Sequence, residues 1–416
     1  MPTDLDALFA FLVAGLLALL LVPLTRRLAV RIGAIDQPNE RSLHTVPTPK
    51  LGGLGILGGA VVAGFVFLPG DGESHAILIG ALAIALVGVL DDVFDLPAAV
   101  KLLGQTAAVV IPVAAGVTVD EFTFPFFGRL TPGTVDLLTL PGGGVIHLGD
   151  VGTVIAIVAV INVIHLIDGV DGLAAGVAVI SGVTLATIAL SLDRNAAGVL
   201  AALTAGAALG FLRWGFPPAS VFMGDTGSNL LGFLLGAVAV QGALKTNAVI
   251  ALFLPLIILA VPILDTGFVV AKRLKYGKPI YKADRWHFHH RMADIGFSQR
   301  RTLLYLYGWT AVMALLALAL RFVPYSDDHG HFDPLWTAVI ALFGILALAA
   351  SVYLVEVLEI LKLRQTRLRQ LITLRRTAGA PAPDLEEVNV AVERELETGS
   401  FPVVDPETGE FEAIDS

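Results

Sequence analysis

The 416-residue sequence contains no cysteine. Without thiols, the chain has no disulfide cross-links, no thiolate nucleophile and no thiolate zinc site. Charged residues are also scarce: they form 15% of the chain, against about a quarter in soluble domains. Hydrophobic residues reach 56%, and the mean hydropathy is +0.80. This composition excludes an ordinary soluble domain and predicts an all-α, polytopic membrane protein.

Apolar runs of the length that a bilayer requires predict about 11 transmembrane helices. The first run, from Leu8 to Leu24, has no basic region before it and no small-residue cleavage site after it, which favours a retained helix over a signal peptide. The predicted spans are 7–24, 52–68, 76–90, 101–118, 151–167, 170–191, 197–214, 229–243, 246–270, 303–321 and 335–360.

The distribution of basic residues predicts the orientation of these spans. If the N-terminus lies outside, only four of the 27 Lys and Arg residues fall in outward segments: Arg129, Arg194, Lys245 and Arg321. Cytoplasmic segments carry the excess of positive charge in membrane proteins. The sequence therefore predicts an external N-terminus and a cytoplasmic C-terminus.

The net charge of −9 arises largely from the C-terminal stretch 384–416, which is rich in Asp and Glu. Such stretches are typically solvated and disordered. We therefore expect a transmembrane domain over 1–361 and a cytoplasmic, largely disordered tail over 362–416. The outward loop 119–150, with several Phe, Gly and Pro residues, predicts a small hairpin or interfacial flap.

Four short polar runs interrupt the apolar chain, and the predicted orientation places all of them at cytoplasmic helix ends. Ionisable groups at membrane depth are costly, so their repeated presence favours one functional site assembled from several helices. The runs are Asp91-Asp92-Val93-Phe94-Asp95, the segment from Asn162 to Asp171, the segment from Phe222 to Ser228, and His287-Phe288-His289-His290.

Asp91 and Asp92 are adjacent, so their side chains point about 100° apart on a helix and suit two different partners, such as a cation and a reacting group. Helix capping is the alternative role. Lys101 begins the next span, where it can extend to lipid headgroups or bind a phosphate as a point charge.

Asn162, His165, Asp168 and Asp171 recur every three residues. This spacing predicts one helix face about two turns long, provided that the intervening glycines do not break the helix. A row of oxygen and imidazole groups can hold a divalent cation or a polar ligand. Hydrogen bonding between helices is the alternative.

Small residues surround Asp225 in the segment Gly224-Asp225-Thr226-Gly227, so a ligand can approach the backbone closely. The carboxylate of Asp225 can bind a hard cation that also holds phosphates. A plain turn is the simpler explanation. An aspartic protease is disfavoured because Asp-Thr-Gly borders apolar helices here.

His287, His289 and His290 lie within a strongly basic stretch, 272–301. Anionic headgroups account for the Lys and Arg residues but not for three histidines in four positions. Zinc is an alternative, but no thiol is available, and pyrophosphate binding by imidazole and guanidinium donors is favoured. Gly52-Gly53, Gly55 and Gly58-Gly59 predict close helix packing rather than a ligand site.

Six motifs, most of them described above, together resemble the polyprenyl-phosphate N-acetylhexosamine-1-phosphate transferases, a family that includes MraY-type and WecA/TagO-type enzymes. The resemblance covers roughly residues 36–301 and is highly specific in combination. The motifs are Leu51-Gly52-Gly53, Asp91-Asp92, Asp168-Gly169-Val170-Asp171-Gly172-Leu173, Phe222-Met223-Gly224-Asp225-Thr226-Gly227-Ser228, Pro262-Ile263-Leu264-Asp265-Thr266 and His287-Phe288-His289-His290-Arg291.

The resemblance implies transfer of a sugar-1-phosphate from a UDP-sugar to a polyprenyl phosphate, with Mg²⁺ (or Mn²⁺) as cofactor. It implies that Asp91 or Asp92, with Asp91 favoured, acts on the lipid phosphate. The other implied roles are Asp225 and His165 at the metal, Lys101 on phosphate, Asn162, Asp168 and Asp171 around the nucleotide, Phe222 stacked on uracil, and His287, His289 and His290 on the diphosphate.

His165 departs from the family, which usually has Asn there, and we expect His165→Asn to retain activity. The histidine segment and the residues after it, Arg291-Met292 and Ile295-Gly296-Phe297-Ser298, resemble the WecA/TagO branch, which implies UDP-N-acetylglucosamine and undecaprenyl or decaprenyl phosphate. UDP-MurNAc-pentapeptide is the alternative substrate, and a secondary transporter is the alternative class. The implied setting is a bacterial plasma membrane with a cytoplasmic site, with membrane lipids as partners, no nucleic acid, and a homodimer as one candidate assembly.

Overall fold

The computed structural model describes residues 3–38, 46–124, 128–139, 144–242, 249–275, 287–324, 333–378, 382–384 and 386–390. Over these residues the chain is almost entirely helical. The helices are α1 (Asp4–Ile32), α2 (Gly53–Phe67), α3 (Gly72–Phe94), α4 (Ala98–Ala114), α5 (Leu148–Ile167), α6 (Leu173–Leu190), α7 (Asn195–Gly215), α8 (Gly224–Gln241), α9 (Val249–Ile258), α10 (Ala260–Lys275), α11 (Phe288–Asp294), α12 (Gln299–Phe322) and α13 (Pro334–Ala378).

Seven of the described helices are long and apolar enough to cross a membrane. They are α1, α3, α5, α6, α7, α12 and the Pro334–Tyr353 part of α13. The prediction of an all-α, multi-pass membrane protein is therefore confirmed. The exact number of spans and their orientation stay predictions.

The predicted span 246–270 is wrong as a single helix, because the structure divides it into α9 and α10. Pro262 is the third residue of α10 and has no N–H to donate to the carbonyl of Ile258, the last residue of α9. A proline inside a helical run removes one helical hydrogen bond and crowds the preceding turn. The division at Leu259 follows from that loss.

Helix α1 begins at a capping box, in which the Thr3 hydroxyl accepts from the Asp6 N–H and the Asp6 carboxylate accepts from the Thr3 N–H at 2.6 Å. A row of alanines on this helix is buried, at Ala7, Ala10, Ala14 and Ala18. Small residues allow two helix backbones to approach closely without relying on hydrophobic burial. At the α7 contact, a Cβ on Gly210 would lie 2.1 Å from the Gly15 carbonyl oxygen.

Short antiparallel hairpins connect several helices, and their strands are β1 (Ile35–Asp36), β2 (Thr48–Pro49), β3 (Phe122–Phe124), β4 (Gly128–Leu130), β5 (Asp136–Thr139) and β6 (Val145–His147). β1 pairs with β2, β3 with β4, and β5 with β6. The hairpin predicted for the 119–150 loop is thus confirmed and is two hairpins, separated by a 3-10 turn at Pro132–Thr134.

The described chain divides into two compact units, residues 1–283 with 303–343, and residues 284–302 with 344–416. Helix α13 continues to Ala378, past the predicted domain boundary at 361. The segment after 361 is rich in Leu, Arg and Gln, which are strong helix formers. Residues 391–416 lie outside the described residues, so the disorder expected there stays a prediction.

Candidate active site

The C-terminal end of α3 meets the N-terminal end of α8 at Asp92. The Asp92 carboxylate accepts hydrogen bonds from the Asp225 N–H at 2.9 Å, the Thr226 N–H at 3.0 Å and the Thr226 hydroxyl at 2.7 Å. These are N–H groups of the first turn of α8, which have no partner within their own helix. Asp92 therefore caps α8 from a neighbouring helix.

Two glycines make this contact sterically possible. Gly224 has φ +69°, and a Cβ there would lie 2.4 Å from an Asp92 carboxylate oxygen. A Cβ on Gly88, one helical turn before Asp92, would lie 2.4 Å from the Thr226 Cα. Both distances are far below van der Waals contact, so α3 and α8 meet at this separation only with glycine at these positions.

Lys101 joins two acidic motifs that are distant in the sequence, since Asp91 and Asp225 are 134 residues apart. Its ammonium forms ion pairs with the carboxylates of both Asp91 and Asp225. The second oxygen of Asp91 accepts a hydrogen bond from the Leu96 N–H at 2.9 Å. The carboxylates of Asp91 and Asp225 thus converge on one cation.

His165, from the last turn of α5, completes this ionic cluster. Its Nε2 lies 3.4 Å from the Lys101 Nζ, and its Nδ1 lies 3.2 Å from the Ser228 hydroxyl and 3.4 Å from an Asp225 carboxylate oxygen. Residues from three of the four predicted polar runs, Asp91, His165 and Asp225, therefore lie together around Lys101, and membership of the histidine run in the same site stays a prediction.

One turn deeper, three amide side chains form a second layer beneath the ionic cluster. Asn162 donates to the Gln105 side-chain oxygen at 2.8 Å, and Gln105 donates to the Asn229 side-chain oxygen at 3.2 Å. Gln105 and Asn229 are fully buried. Each member lies three or four residues along the helix from Lys101, His165 or Asp225, so the amide layer joins the same three helices, α4, α5 and α8.

The expected single helix face for Asn162, His165, Asp168 and Asp171 is wrong in its second half. Helix α5 ends at Ile167, and Gly172 adopts φ +77° before α6 begins. Asn162 and His165 share α5, whereas Asp168 caps its end and Asp171 lies in the following turn. The glycines of this segment break the helix, as their high conformational freedom allows.

Asp168 and Asp171 have different surroundings in this turn. Burial raises the pKa of the Asp168 carboxyl well above its usual range, and the negative charges of Asp225, Asp92 and Asp171 raise it further. The Asp171 carboxylate accepts from the Ala219 N–H at 2.9 Å. Asp168 is therefore electrostatically part of the acidic cluster, while Asp171 holds the turn against the 216–220 loop.

Phe222 is placed by backbone pairing with the last residue of β2 and with the segment that follows it. The Phe222 N–H donates to the Pro49 carbonyl at 2.9 Å, and its own carbonyl accepts from the Gly52 N–H at 2.8 Å. A Cβ on Gly53 would lie 2.2 Å from the Gly227 nitrogen. The prediction that Gly52 and Gly53 serve close packing is confirmed, and they position Phe222 and the start of α8, which carries Asp225.

The three histidines lie in the other compact unit, around the start of α11. The rings of His287 and His289 are stacked with centroids 5.6 Å apart, and those of His289 and His290 are 4.3 Å apart. Burial lowers the pKa of His289 well below its usual range, and the neighbouring His290 and His287 lower it further. His289 is therefore neutral at neutral pH and can contribute hydrogen bonds but no positive charge.

Sequence reasoning missed four side chains of this region: Gln105, Asn229, Ser228 and Tyr307. The Tyr307 hydroxyl, from α12, donates to the Gly172 carbonyl at 2.6 Å and so holds the turn after Asp168. A signal was present for the amides, because Gln105 follows Lys101 by four residues and Asn229 follows Asp225 by four. Residues at this spacing lie on the same helix face.

The described part of the ionic cluster offers two carboxylates, but no larger set of ligands, to a divalent cation. Over the described residues, no group of three or more His, Cys, Asp or Glu side chains is arranged to hold a metal. The Lys101 ammonium nevertheless acts as a stand-in cation, which two carboxylates contact at once. Because Mg²⁺ is usually held by one or two carboxylates together with substrate phosphates and water, Asp91 and Asp225 fit that ion.

The chain belongs to glycosyl transferase family 4, whose family profile matches residues 74–243. This match includes Asp91, Asp92, Lys101, the α5 motif and Asp225, and it ends before the histidine cluster. The resemblance to the polyprenyl-phosphate hexosamine-1-phosphate transferases, WecA/TagO branch, is confirmed by relatives of which the chain covers the greater part.

One such relative is the probable undecaprenyl-phosphate N-acetylglucosaminyl 1-phosphate transferase of Bacillus subtilis, 37% identical over 75% of this chain and 84% of the relative. A second is the decaprenyl-phosphate N-acetylglucosaminephosphotransferase of Mycobacterium tuberculosis, 32% identical over 80% and 85%. A third is the phospho-N-acetylmuramoyl-pentapeptide-transferase of Desulforudis audaxviator, 34% identical over 76% and 98%.

Proposed function

We propose that this protein transfers N-acetylglucosamine-1-phosphate from UDP-N-acetylglucosamine to undecaprenyl or decaprenyl phosphate at the cytoplasmic face of a bacterial plasma membrane. The observation that carries the proposal is the convergence of Asp91, Lys101 and Asp225 from three helices. Phosphoryl transfer needs carboxylates that hold a cation and a basic side chain that neutralises phosphate charge, and this cluster supplies both kinds of group.

In this reaction an oxygen of the polyprenyl phosphate attacks the β-phosphorus of the UDP-sugar. The new P–O bond joins the two phosphates of the lipid product, and the bond between the β-phosphorus and the α-phosphate oxygen breaks. UMP leaves with that oxygen. Mg²⁺, with Mn²⁺ as the alternative ion, supplies neutralisation of the negative charge on the diphosphate when bound.

Several groups of the site act on the phosphates of the two substrates. Asp91 orients the lipid phosphate and takes a proton from it when that phosphate arrives as the monoanion. Lys101 binds phosphate as a point charge. The first turn of α4, which carries Lys101, also attracts the anion, because helix N-termini carry partial positive charge.

The remaining predicted residues are assigned to the nucleotide and the metal. Asp225 would bind the cation with His165 beside it and the Asp91 carboxylate facing the same position, Asp168 and Asp171 shape the nucleotide site through the turn after α5, and Phe222 stacks on uracil. His287, His289 and His290 bind the diphosphate, His289 as a neutral donor or acceptor. Asn162 supports the site from the amide layer, which is a change from the direct substrate contact implied by the resemblance.

The choice of sugar rests on the relatives. Two relatives are named for N-acetylglucosamine-1-phosphate transfer, and the third is named for N-acetylmuramoyl-pentapeptide. UDP-MurNAc-pentapeptide is therefore the second candidate donor. The product would be a lipid-linked diphospho-sugar used for cell-wall or surface polysaccharide synthesis.

A secondary transporter is disfavoured by the location of the cluster along the helices. Asp91 and Asp92 lie at the end of α3, Lys101 in the first turn of α4, and Asp225 in the first turn of α8. Transporter sites are typically formed near the bilayer midplane by interrupted helices. A site at helix ends suits a reaction between a soluble donor and a lipid headgroup.

The test is UMP release by the purified protein with Mg²⁺, undecaprenyl phosphate and a panel of UDP-sugars. The proposal expects release with UDP-N-acetylglucosamine at a rate well above that with UDP-glucose, and none without the lipid. Release only with UDP-MurNAc-pentapeptide would establish the second candidate donor. Absence of release with every donor, from protein that remains folded, would refute the assigned reaction.

A further inference from the structure

The ammonium of Lys101 lies where two carboxylates from different helices meet, those of Asp91 and Asp225. The Lys101 side chain is 17% exposed, and that of Asp91 is 6% exposed. The ion pairs are therefore partly shielded from water, where electrostatic interactions are stronger than at an open surface. The neighbouring His165 ring, with Nε2 at 3.4 Å from the ammonium, restricts the same small space.

The two aspartates are fixed more firmly than the lysine. The Asp91 carboxylate accepts from the Leu96 N–H at 2.9 Å, and the backbone of Asp225 lies in the first turn of α8, where its N–H donates to Asp92 at 2.9 Å. Lys101 is attached to α4 through a flexible four-carbon stem. When another cation approaches, the ammonium is therefore the part of the cluster that can move.

A divalent cation bound by the same carboxylates cannot share their centre with the ammonium. Mg²⁺ binds oxygen at about 2.0–2.1 Å, and a positive charge at such short range repels the ammonium strongly. The metal and the Lys101 ammonium therefore cannot occupy the position between the two carboxylates at the same time.

We propose that Lys101 is an internal counter-ion that competes with the divalent cation for Asp91 and Asp225, and that metal binding releases its ammonium towards the substrate phosphates. This inference rests on the proposed function for the identity of those phosphates. It assigns Lys101 two successive partners: the carboxylates before the metal binds, and the diphosphate afterwards.

The test is binding of Mn²⁺ to the purified protein by electron paramagnetic resonance, with no nucleotide and no lipid. Removing the competing charge in Lys101→Met should tighten Mn²⁺ binding at least tenfold, although turnover falls. Lys101→Gln should tighten it similarly, and Lys101→Arg, which keeps a positive charge, should stay near the wild-type affinity. Equal or weaker binding by both Lys101→Met and Lys101→Gln would overturn the proposal.

Lys50 provides the matched control, because its ammonium pairs with a single carboxylate, Asp36, at 3.5 Å. Lys50→Met should leave Mn²⁺ affinity unchanged. Asp225→Asn should remove the high-affinity binding from both the wild-type and the Lys101→Met background. Tightening that persists in Lys101→Met with Asp225→Asn would place the metal elsewhere and overturn the proposal.

A measurement on the wild-type protein does not depend on the folding of any variant. The rate of amine acetylation at Lys101, followed by mass spectrometry, should rise when Mn²⁺ is added, while that at Lys50 should not change. An unchanged or slower rate at Lys101 contradicts the release. If the wild-type protein releases UMP but fails these tests, the inference is refuted and the proposed function stands. If it passes these tests but releases no UMP, the proposed function is refuted and the competition between Lys101 and the metal stands.

Discussion

The Asp92 carboxylate accepts both the backbone N–H of Thr226, at 3.0 Å, and its hydroxyl, at 2.7 Å. Its remaining oxygen accepts the Asp225 N–H. The adjacent Asp91 instead faces Lys101. Adjacent aspartates thus have separate partners, as their divergent directions on a helix predict, but the partner of Asp92 is the end of α8.

We therefore expect different consequences from the two amide substitutions. Asp92→Asn weakens the cap of α8 and should destabilise the protein by about 1.5–3 kcal/mol, the range for hydrogen bonds to a charged group, while lowering turnover per folded molecule less than about tenfold. Asp91→Asn should reduce turnover by more than about a hundredfold, the scale of a lost acid–base group, with a smaller loss of stability. Thermal unfolding in detergent and initial rates measure both effects. If Asp92→Asn abolished turnover at unchanged stability, Asp92 would be a reacting group.

Gln105 lies in the amide layer, and its replacement tests whether that layer positions the ionic cluster. Gln105→Leu removes the partner of the fully buried Asn229 side-chain oxygen and one of the two acceptors of the half-buried Asn162 amide, which should cost about 1–3 kcal/mol. Because the same three helices carry Lys101, His165 and Asp225, the apparent Mg²⁺ requirement should also rise several-fold.

Gln241 is the matched control for Gln105. It donates to Glu73 at 3.3 Å and lies at the opposite end of the α3–α8 pair. Gln241→Leu should lower the unfolding temperature without changing the Mg²⁺ requirement. The same change in Mg²⁺ requirement in both variants would show that the amide layer acts only on stability.

The α3–α8 separation can be tested at Gly88. A Cβ there would meet backbone atoms of Asp225 and Thr226 at 2.4–2.8 Å, so Gly88→Ala must force the helices apart. We expect destabilisation of about 1–3 kcal/mol, as for other overpacked sites, together with a large loss of UMP release.

Gly152, on α5, is a suitable comparison, because a Cβ at this position would have open space around it, with no neighbouring atom within 4 Å. Gly152→Ala should be neutral or stabilise the protein by roughly 0.5–1 kcal/mol, because alanine is the better helix former. Equal stability and activity in the Gly88 and Gly152 variants would contradict the close approach of α3 and α8.

His165→Asn should retain activity, within about tenfold of the wild type, since one group lost at a site held by several contacts costs about 1 kcal/mol. An asparagine there keeps a polar side chain beside Ser228 and Asp225, which His165 approaches at 3.2 and 3.4 Å. Initial rates across a Mg²⁺ titration measure the effect. Complete loss of turnover in folded protein would make the imidazole itself essential.

The sequence predicted the helices well where a long apolar run ends in polar residues, as in α3, α5 and α7. It failed at Leu259, where the apolar run continues across a break made by Pro262, and after Ile167, where the glycines of the turn outweighed the three-residue spacing.

The site was predictable where several unusual residues share one segment, as Asp91 and Asp92 do. Gln105 and Asn229 gave only a weak signal, their four-residue spacing from Lys101 and Asp225, and the contact between them joins helices that are distant in sequence. The capping role of Asp92 was hidden for the same reason: the end of α8 that it caps lies 133 residues away along the chain.

The most direct test of the proposed reaction uses UDP-N-acetylglucosamine labelled with ³²P in the β-phosphate, together with undecaprenyl phosphate and Mg²⁺. Transfer of the sugar-1-phosphate predicts that the label moves to the lipid phase and that the released nucleotide is unlabelled UMP, with both signals lost in Asp225→Asn. Label that stays with the nucleotide as UDP while sugar reaches the lipid would mean that the glycosidic bond is broken instead, and would contradict the assigned chemistry.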